Sequence, residues 1–155
     1  MILDVGCGAD FKGDVNVDLY LEPTIHRPIL HKGNLTAKEI PNLIKADAQY
    51  LPFADDSFDL VYSHHLIEHL SNPILFIKEC IRVSKREILI ICPHRFSSHA
   101  KGGGHKHVFN KLWFATVLSK IRQNNPILYT IETTHNFYLW FRPEDLVVKI
   151  IKSSW

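Results

Sequence analysis

Ile2-Leu-Asp-Val-Gly-Cys-Gly8 is the stretch on which the fold turns. A short apolar run that breaks into two glycines around one residue reads as a buried strand entering a G-x-G turn. Glycine adopts the φ > 0 conformations such a turn often needs, lets a backbone approach a ligand closely, and presents its N–H to an anionic group. A G-x-G after a strand also occurs as a plain turn, so the segment gains meaning only from its neighbours in the chain. The nearest is Val15-Asn-Val-Asp-Leu19, a second short run with Asp18 near its end. In doubly wound folds an acidic residue at the carboxyl end of the next strand holds ribose hydroxyls, because a charged carboxylate accepts two hydrogen bonds at once.

Working outward, short β-branched runs alternate with longer amphipathic ones, the pattern of an α/β sheet with helices on its faces. Strands are predicted at Ile2–Val5, Val15–Leu19, Leu43–Ala46, Phe58–Ser63 and Glu87–Cys92. The last two are apolar enough to be parallel strands covered on both faces. Asn72-Pro73 supplies an N-cap and an N1 proline for a helix through Ile74, Ile77 and Ile81 toward Ser84. A second helix is predicted from about Asn110 to Ile121, with Trp113, Phe114, Val117, Leu118 and Ile121 on one face. The alternation of Ile127, Tyr129 and Ile131, then Phe137, Leu139 and Phe141, predicts a hairpin turned near Thr134 to Asn136. Arg142-Pro-Glu-Asp145 leads into either a last helix or a last strand, and Val147 to Ile151 leaves both open. The expected architecture is a Rossmann-like, doubly wound, mainly parallel sheet with a C-terminal antiparallel hairpin.

Composition narrows the class. A chain of 155 residues with 46% apolar and 22% charged residues suits one globular domain. The net charge of +2 is spread along the chain, so no basic stripe argues for nucleic acid. Three cysteines, Cys7, Cys80 and Cys92, are odd in number and set in apolar runs, which reads as reduced thiols. No run approaches the roughly 18 to 20 apolar residues of a membrane span, and no charged leader precedes the first strand, so the cytoplasm is the expected location and no membrane is a partner.

A nicotinamide-dinucleotide site would want a third glycine where Phe11 stands, and Gly13 falls two residues late. A third signal points elsewhere. Asp47 comes just after the third strand, then Leu51-Pro-Phe53 and Asp56-Ser-Phe-Asp-Leu-Val61. Together with Leu3-Asp-Val-Gly-Cys-Gly8, Val17-Asp18, Asp47-Ala48 and Ile67-Glu-His-Leu70, in chain order, these residues resemble the class I S-adenosylmethionine-dependent methyltransferases, of the small type-11-like kind, over roughly Met1 to Cys92. The resemblance implies S-adenosyl-L-methionine as cofactor. Asp4, Gly6, Cys7 and Gly8 would cradle its amino-acid end, and Asp18, with Leu19 beside it, would hold the ribose. Asp47 would accept from the adenine amino group, with the Ala48 N–H beside the ring. Ser63, His64 and His65 would lie near the sulfonium. Each acid also has a structural reading: Asp4 and Asp18 as caps of a turn or loop, Asp47 as an N-cap.

Two departures from the family pattern shape the expectation. Only Ala9 to Asp14 separate the glycine turn from the second strand, so the usual helix there is a turn or absent. No covering helices stand ahead of Ile2, so the expected unit is one domain over 1–155 without N-terminal lid helices. Its site is then more open, or closed by a partner protein, a second copy, or the loop containing Gly102 to Gly104. The aromatic residues Phe137, Tyr138, Trp140, Phe141 and Trp155 read as sheet packing or a dimer surface.

His94, His99, His105 and His107 share the segment after the fifth strand, on the expected acceptor side. Methyl transfer needs a positioned nucleophile, and a base only where the acceptor loses a proton. His107, just ahead of Val108-Phe109, and His65 are the catalytic candidates. With no carboxylate or thiolate in the same segment, the four histidines match no recognised metal spacing, and no metal is expected. Ser63-His-His-Leu66 is not the Asn/Asp-Pro-Pro-aromatic turn of enzymes acting on base or glutamine nitrogen. The expected acceptor is therefore a small molecule or a biosynthetic intermediate. The rival from another class is a cofactor-binding module without catalysis that completes a partner enzyme.

Overall fold

Apolar runs separated along the chain assemble side by side into one mixed sheet. The computed structural model describes residues 1–8, 10–20, 39–100, 104–135 and 143–153. Its strands are β1 (Ile2–Val5), β2 (Val15–Asp18), β3 (Leu43–Lys45), β4 (Phe58–His64), β5 (Ser84–Pro93), β6 (Ile127–His135) and β7 (Pro143–Lys152), in the order β3-β2-β1-β4-β5-β7-β6. β1 to β5 run parallel, and β7 is antiparallel to both β5 and β6. The chain steps outward from β1 through β2 to β3 and then returns to the other side of β1 at β4. Sheets of this kind bind ligands outside the carboxyl ends of the strands at such a reversal.

Burial explains the strands. Leu3, Val5, Val61 and Ile88 are fully buried, as are Val148 and Ile150 on β7. Helix α1 (Pro73–Val83) begins where the Asn72 side chain accepts from the Leu75 N–H at 3.1 Å, and it buries Phe76, Ile77, Cys80, Ile81 and Val83. Helix α2 (Lys111–Arg122) repeats the device: Asn110 accepts from the Trp113 N–H, and Phe114, Val117, Leu118 and Ile121 turn inward. None of the described helices is long and apolar enough to cross a membrane.

Two sequence expectations change and one open choice is decided. β5 starts at Ser84 rather than Glu87, directly after α1. Ser84 pairs with Phe58 across a register shift in β4, and its hydroxyl donates to the Glu87 carbonyl at 3.0 Å. The hairpin is present but its arms differ. β6 runs on through Thr133 and Thr134 to His135, and its partner is Pro143–Lys152, which resolves the open choice for the last segment as a strand. Apolar Leu146, Val148 and Ile150 alternate with less buried neighbours, as a strand wedged between two others requires. Phe137, Tyr138, Trp140, Phe141 and Trp155, with Ala9, Gly102 and Gly103, lie outside the described residues. Between β1 and β2 the described residues form turns and bends and no helix.

Candidate active site

The glycine turn after β1 is built by close approaches. The N–H groups of Gly6 and Cys7 both donate to the Val17 carbonyl, at 2.8 and 3.1 Å. Gly6 has φ +75°, and a Cβ there would fall 2.8 Å from the Leu66 side chain. Gly8 has φ +54° and nothing within 4 Å of where its Cβ would stand. Gly6 thus makes room for the protein, whereas Gly8 faces open space. Gly13 is a third constrained glycine, since its Cβ would lie 2.4 Å from the Val15 carbonyl oxygen and 2.7 Å from the Asp4 nitrogen.

The three acids at the strand ends differ. Asp4 is buried and accepts from the Lys12 N–H at 2.7 Å, tying down the loop into β2. Burial pushes its carboxyl up to about 6, against the Lys12 hydrogen bond and charge that favour ionisation. Asp18 accepts from the Gly8 N–H at 3.0 Å and the Tyr20 N–H at 2.9 Å, one on each oxygen. Asp47 accepts from the Gln49 N–H at 2.8 Å, and the Gln49 amide folds back onto the same carboxylate. Behind them, Asn16 is fully buried and satisfied: its amide donates to the carbonyls of Gly13 and Pro41.

Leu51-Pro-Phe53 owes its shape to α1. Glu79 accepts from the Leu51 N–H at 2.8 Å, and the Arg82 guanidinium donates to the carbonyls of Leu51 and Phe53 and to Asp55. The sequence motif is therefore one side of a contact whose other side lies on a helix.

These elements enclose a cleft of about 410 Å³ lined by Gly6, Gly8, Asp18, Leu19, Tyr20, Asp47, Ala48 and Gln49 on one side. His65, Leu66, His69, Gly104 and Lys106 line the other. Its size suits a drug-sized ligand. A larger groove of about 670 Å³ lies between α1 and α2, where Asp56 precedes β4 and Lys152 ends β7. That groove is at the amino ends of the parallel strands, away from the topological reversal, and Lys152 there is paired with Asp56.

Of the residues singled out in the sequence, Gly6, Gly8, Asp18, Leu19, Asp47, Ala48 and His65 line the cleft. Asp4, Cys7, Ser63, His64 and His107 do not. The Ser63 hydroxyl donates to the Val5 carbonyl at 2.9 Å inside the sheet. Cys7 is buried, and His64 is exposed with its ring stacked on His65 at 4.2 Å. His107 donates its N–H to the Glu68 carbonyl at 3.1 Å while its ring leans toward Phe109.

His65 sits at φ +53°, a left-handed conformation uncommon outside glycine, at the carboxyl end of β4. Its Nε2 meets Asp145 Oδ1 of β7 at 3.0 Å. Burial alone would push the imidazole down, but the Asp145 hydrogen bond and the nearby Glu68 and Asp145 charges outweigh it and hold His65 above its ordinary value. Burial and the neighbouring His65 push His64 the other way. Asp145 and Glu68 are not evident from the sequence. Each acts across elements distant in the chain, and the only local signal is the Glu68-His69 pair.

This strand order, with the reversal at β1 and an antiparallel β7 inside β6, is that of a class I methyltransferase domain. The family model described as a methyltransferase domain matches residues 3–92, and the chain belongs to that family. A possible histamine N-methyltransferase from Thermotoga maritima aligns with 98% of this chain and 82% of its own at 17% identity, with a TM-score of 0.66. The plantazolicin methyltransferase BpumL, solved with SAH, aligns with 99% of this chain and 76% of its own at 16% identity and a TM-score of 0.69. Ajmaline N-methyltransferase of Rauvolfia serpentina is 47% identical over 45 residues, which make up 29% of this chain and 16% of that protein. The chain thus spans a small part of that relative's length.

Proposed function

We propose that residues 1–155 act as one domain that binds S-adenosyl-L-methionine in the strand-end cleft and transfers its methyl group to a small-molecule or biosynthetic-intermediate acceptor. The observation that carries the reading is the cleft itself: a glycine facing open space and two acids at successive strand ends border one cavity at the topological reversal. When bound, the cofactor supplies a methyl group activated by a neighbouring positive sulfur.

This chain's residues do the holding. Each Asp18 oxygen accepts one backbone N–H and keeps a lone pair for a ribose hydroxyl. Asp47 presents a carboxylate to the adenine amino group in the place where the Gln49 amide folds back. Leu19 and Tyr20, 42% and 50% exposed, offer apolar surface to the base. At the far wall, His65 gives its Nε2 to Asp145, which leaves Nδ1 as the atom to take a proton from an acceptor that must lose one.

Calorimetric titration with S-adenosylmethionine and its demethylated product, beside NAD, tests the reading. Binding of the sulfonium pair at micromolar levels and none of NAD is expected. Asp18→Ala should weaken it about a hundredfold, roughly what two charge-assisted hydrogen bonds contribute. Equal binding by wild type and variant would overturn the assignment of Asp18.

A further inference from the structure

We propose that Glu68, His69 and His105 form a site for a divalent transition-metal ion of the zinc class at the wall of the cofactor cleft. One ligand atom from each of the three side chains lies within 4.8 Å of the other two. His105 Nε2 stands 4.0 Å from Glu68 Oε1. Tetrahedral nitrogen and oxygen ligands at about 2.0–2.2 Å from zinc are roughly 3.3–3.6 Å apart, so side-chain shifts of under about 1 Å close the set.

Glu68 supplies the independent reason to expect a cation. It is 1% exposed, and neither of its carboxylate oxygens has a hydrogen-bond partner among the described residues. Burying a carboxylate with both oxygens unanswered is unfavourable, and buried charges are ordinarily paired or bound to metals.

His105 is presented in a form that binds. His105 Nδ1 lies 3.2 Å from the Ala100 carbonyl, which can only accept, so Nδ1 carries the hydrogen and Nε2 keeps its lone pair toward Glu68. The backbone fixes the approach as well: the N–H groups of Lys106 and His107 both donate to the Glu68 carbonyl, at 2.8 and 3.1 Å. The His69 and His105 rings meet edge to face at 4.7 Å.

His64, His65 and Asp145 also lie close together, but there His65 Nε2 and Asp145 Oδ1 already satisfy one another and His64 is exposed. Cys92 is fully buried and does not belong to the cluster. Two imidazoles and a carboxylate leave a fourth position for water or for an acceptor oxygen or nitrogen. His69 lines the cofactor cleft, so that position is the point where ion and acceptor would meet. This last step rests on the proposed methyl transfer, whereas ion binding does not.

Tag-free protein stripped with chelator is titrated with Co²⁺ and followed by visible absorption, then with Zn²⁺ in competition. One equivalent of Co²⁺ is expected, displaced by Zn²⁺ and without the near-ultraviolet band of a thiolate ligand. Glu68→Gln, close to isosteric, and His105→Ala, on the loop, should each weaken binding at least about tenfold, while His94→Ala leaves it unchanged. Thermal melts and S-adenosylmethionine titrations of the same samples report folding and the cofactor site separately. Absence of stoichiometric Co²⁺ binding by folded wild type, or binding retained in both cluster variants, would overturn the proposal.

Discussion

Asp4 and Glu68 are both buried carboxyls at the carboxyl side of the sheet, one beneath each wall of the cleft, and burial raises both. Their surroundings differ. Asp4 answers the Lys12 N–H and holds the loop that leads into β2, so its burial has a purpose within its own neighbourhood. The carboxylate of Glu68 has no side-chain hydrogen-bond partner among the described residues and faces His105 across 4.0 Å. The first wall is made from the carboxyl ends of β1, β2 and β3, its two strand-end acids accept backbone N–H groups, and space lies open above Gly8. The second is made from the segments that follow β4 and β5, which are far apart in the chain, and Glu68 and His105 behind it face one another. One wall is built to receive a ligand on its backbone, the other to gather side chains around a point.

The contrast is broken most forcefully at Gly13. A Cβ there meets backbone atoms of Val15 and Asp4, which cannot rotate away, so Gly13→Ala should lose about 3 kcal/mol in urea denaturation, the upper end of overpacking effects. A value near zero would show that the loop into β2 yields freely.

Asp4 comes next. Its folded-state value of about 6 lies above the unfolded value near 3.8, so the folded chain holds the extra proton between them. The associated stability is complete below the lower value and is lost as pH rises through the upper one. The change is at most about 3 kcal/mol for this group alone. Lys12 pulls toward ionisation, while Asp10 and Asp18 oppose it. Denaturation midpoints between pH 4 and 6 should fall with rising pH in the wild type and fall less steeply in Asp4→Asn, where Glu68, also raised by burial, still contributes.

Gly8→Ala separates folding from binding. The left-handed backbone costs about 1 kcal/mol for alanine, but the methyl group enters the open side of the turn. Melting should change slightly and cofactor titration considerably; equal effects would mean that the turn meets no ligand. The smallest effect is expected for His107→Ala. Its ring leans on Phe109 outside the cleft, so cofactor affinity should move by less than about twofold, and a larger change would bring His107 into the site.

The legibility of the molecule divides along the same line. β1, β2, the glycine turn and both strand-end acids can be read because each carries its signal within a few residues: an apolar run, a glycine, an acid at the stop. The caps of α1 and α2 are equally local, an asparagine answering the N–H three residues on. The features that escape depend on pairing between segments far apart. Asp145 faces His65 only because β7 lies against β5, which places Asp145 opposite Pro93. Glu68 meets His105 only because the loop after β5 folds back onto the 3₁₀ turn Ile67–His69. A search for metal spacing within one segment passes over a carboxylate supplied by another. The hairpin arms differ from expectation for the opposite reason. Alternation continues beyond β6, but the strand's partner is decided by the vacant edge of β5.

That vacant edge has a consequence for how the molecule is made. β7 comes after β6 in the chain yet lies inside it in the sheet. During synthesis β6 therefore emerges with no neighbour to join, and β5 shows an unpaired apolar border until Leu146, Val148 and Ile150 arrive to cover it. Such a border is a template for association with other chains. A ribosome halted between His135 and Pro143 would release a nascent polypeptide whose cofactor wall is written in full but whose sheet is still able to add a stranger's strand.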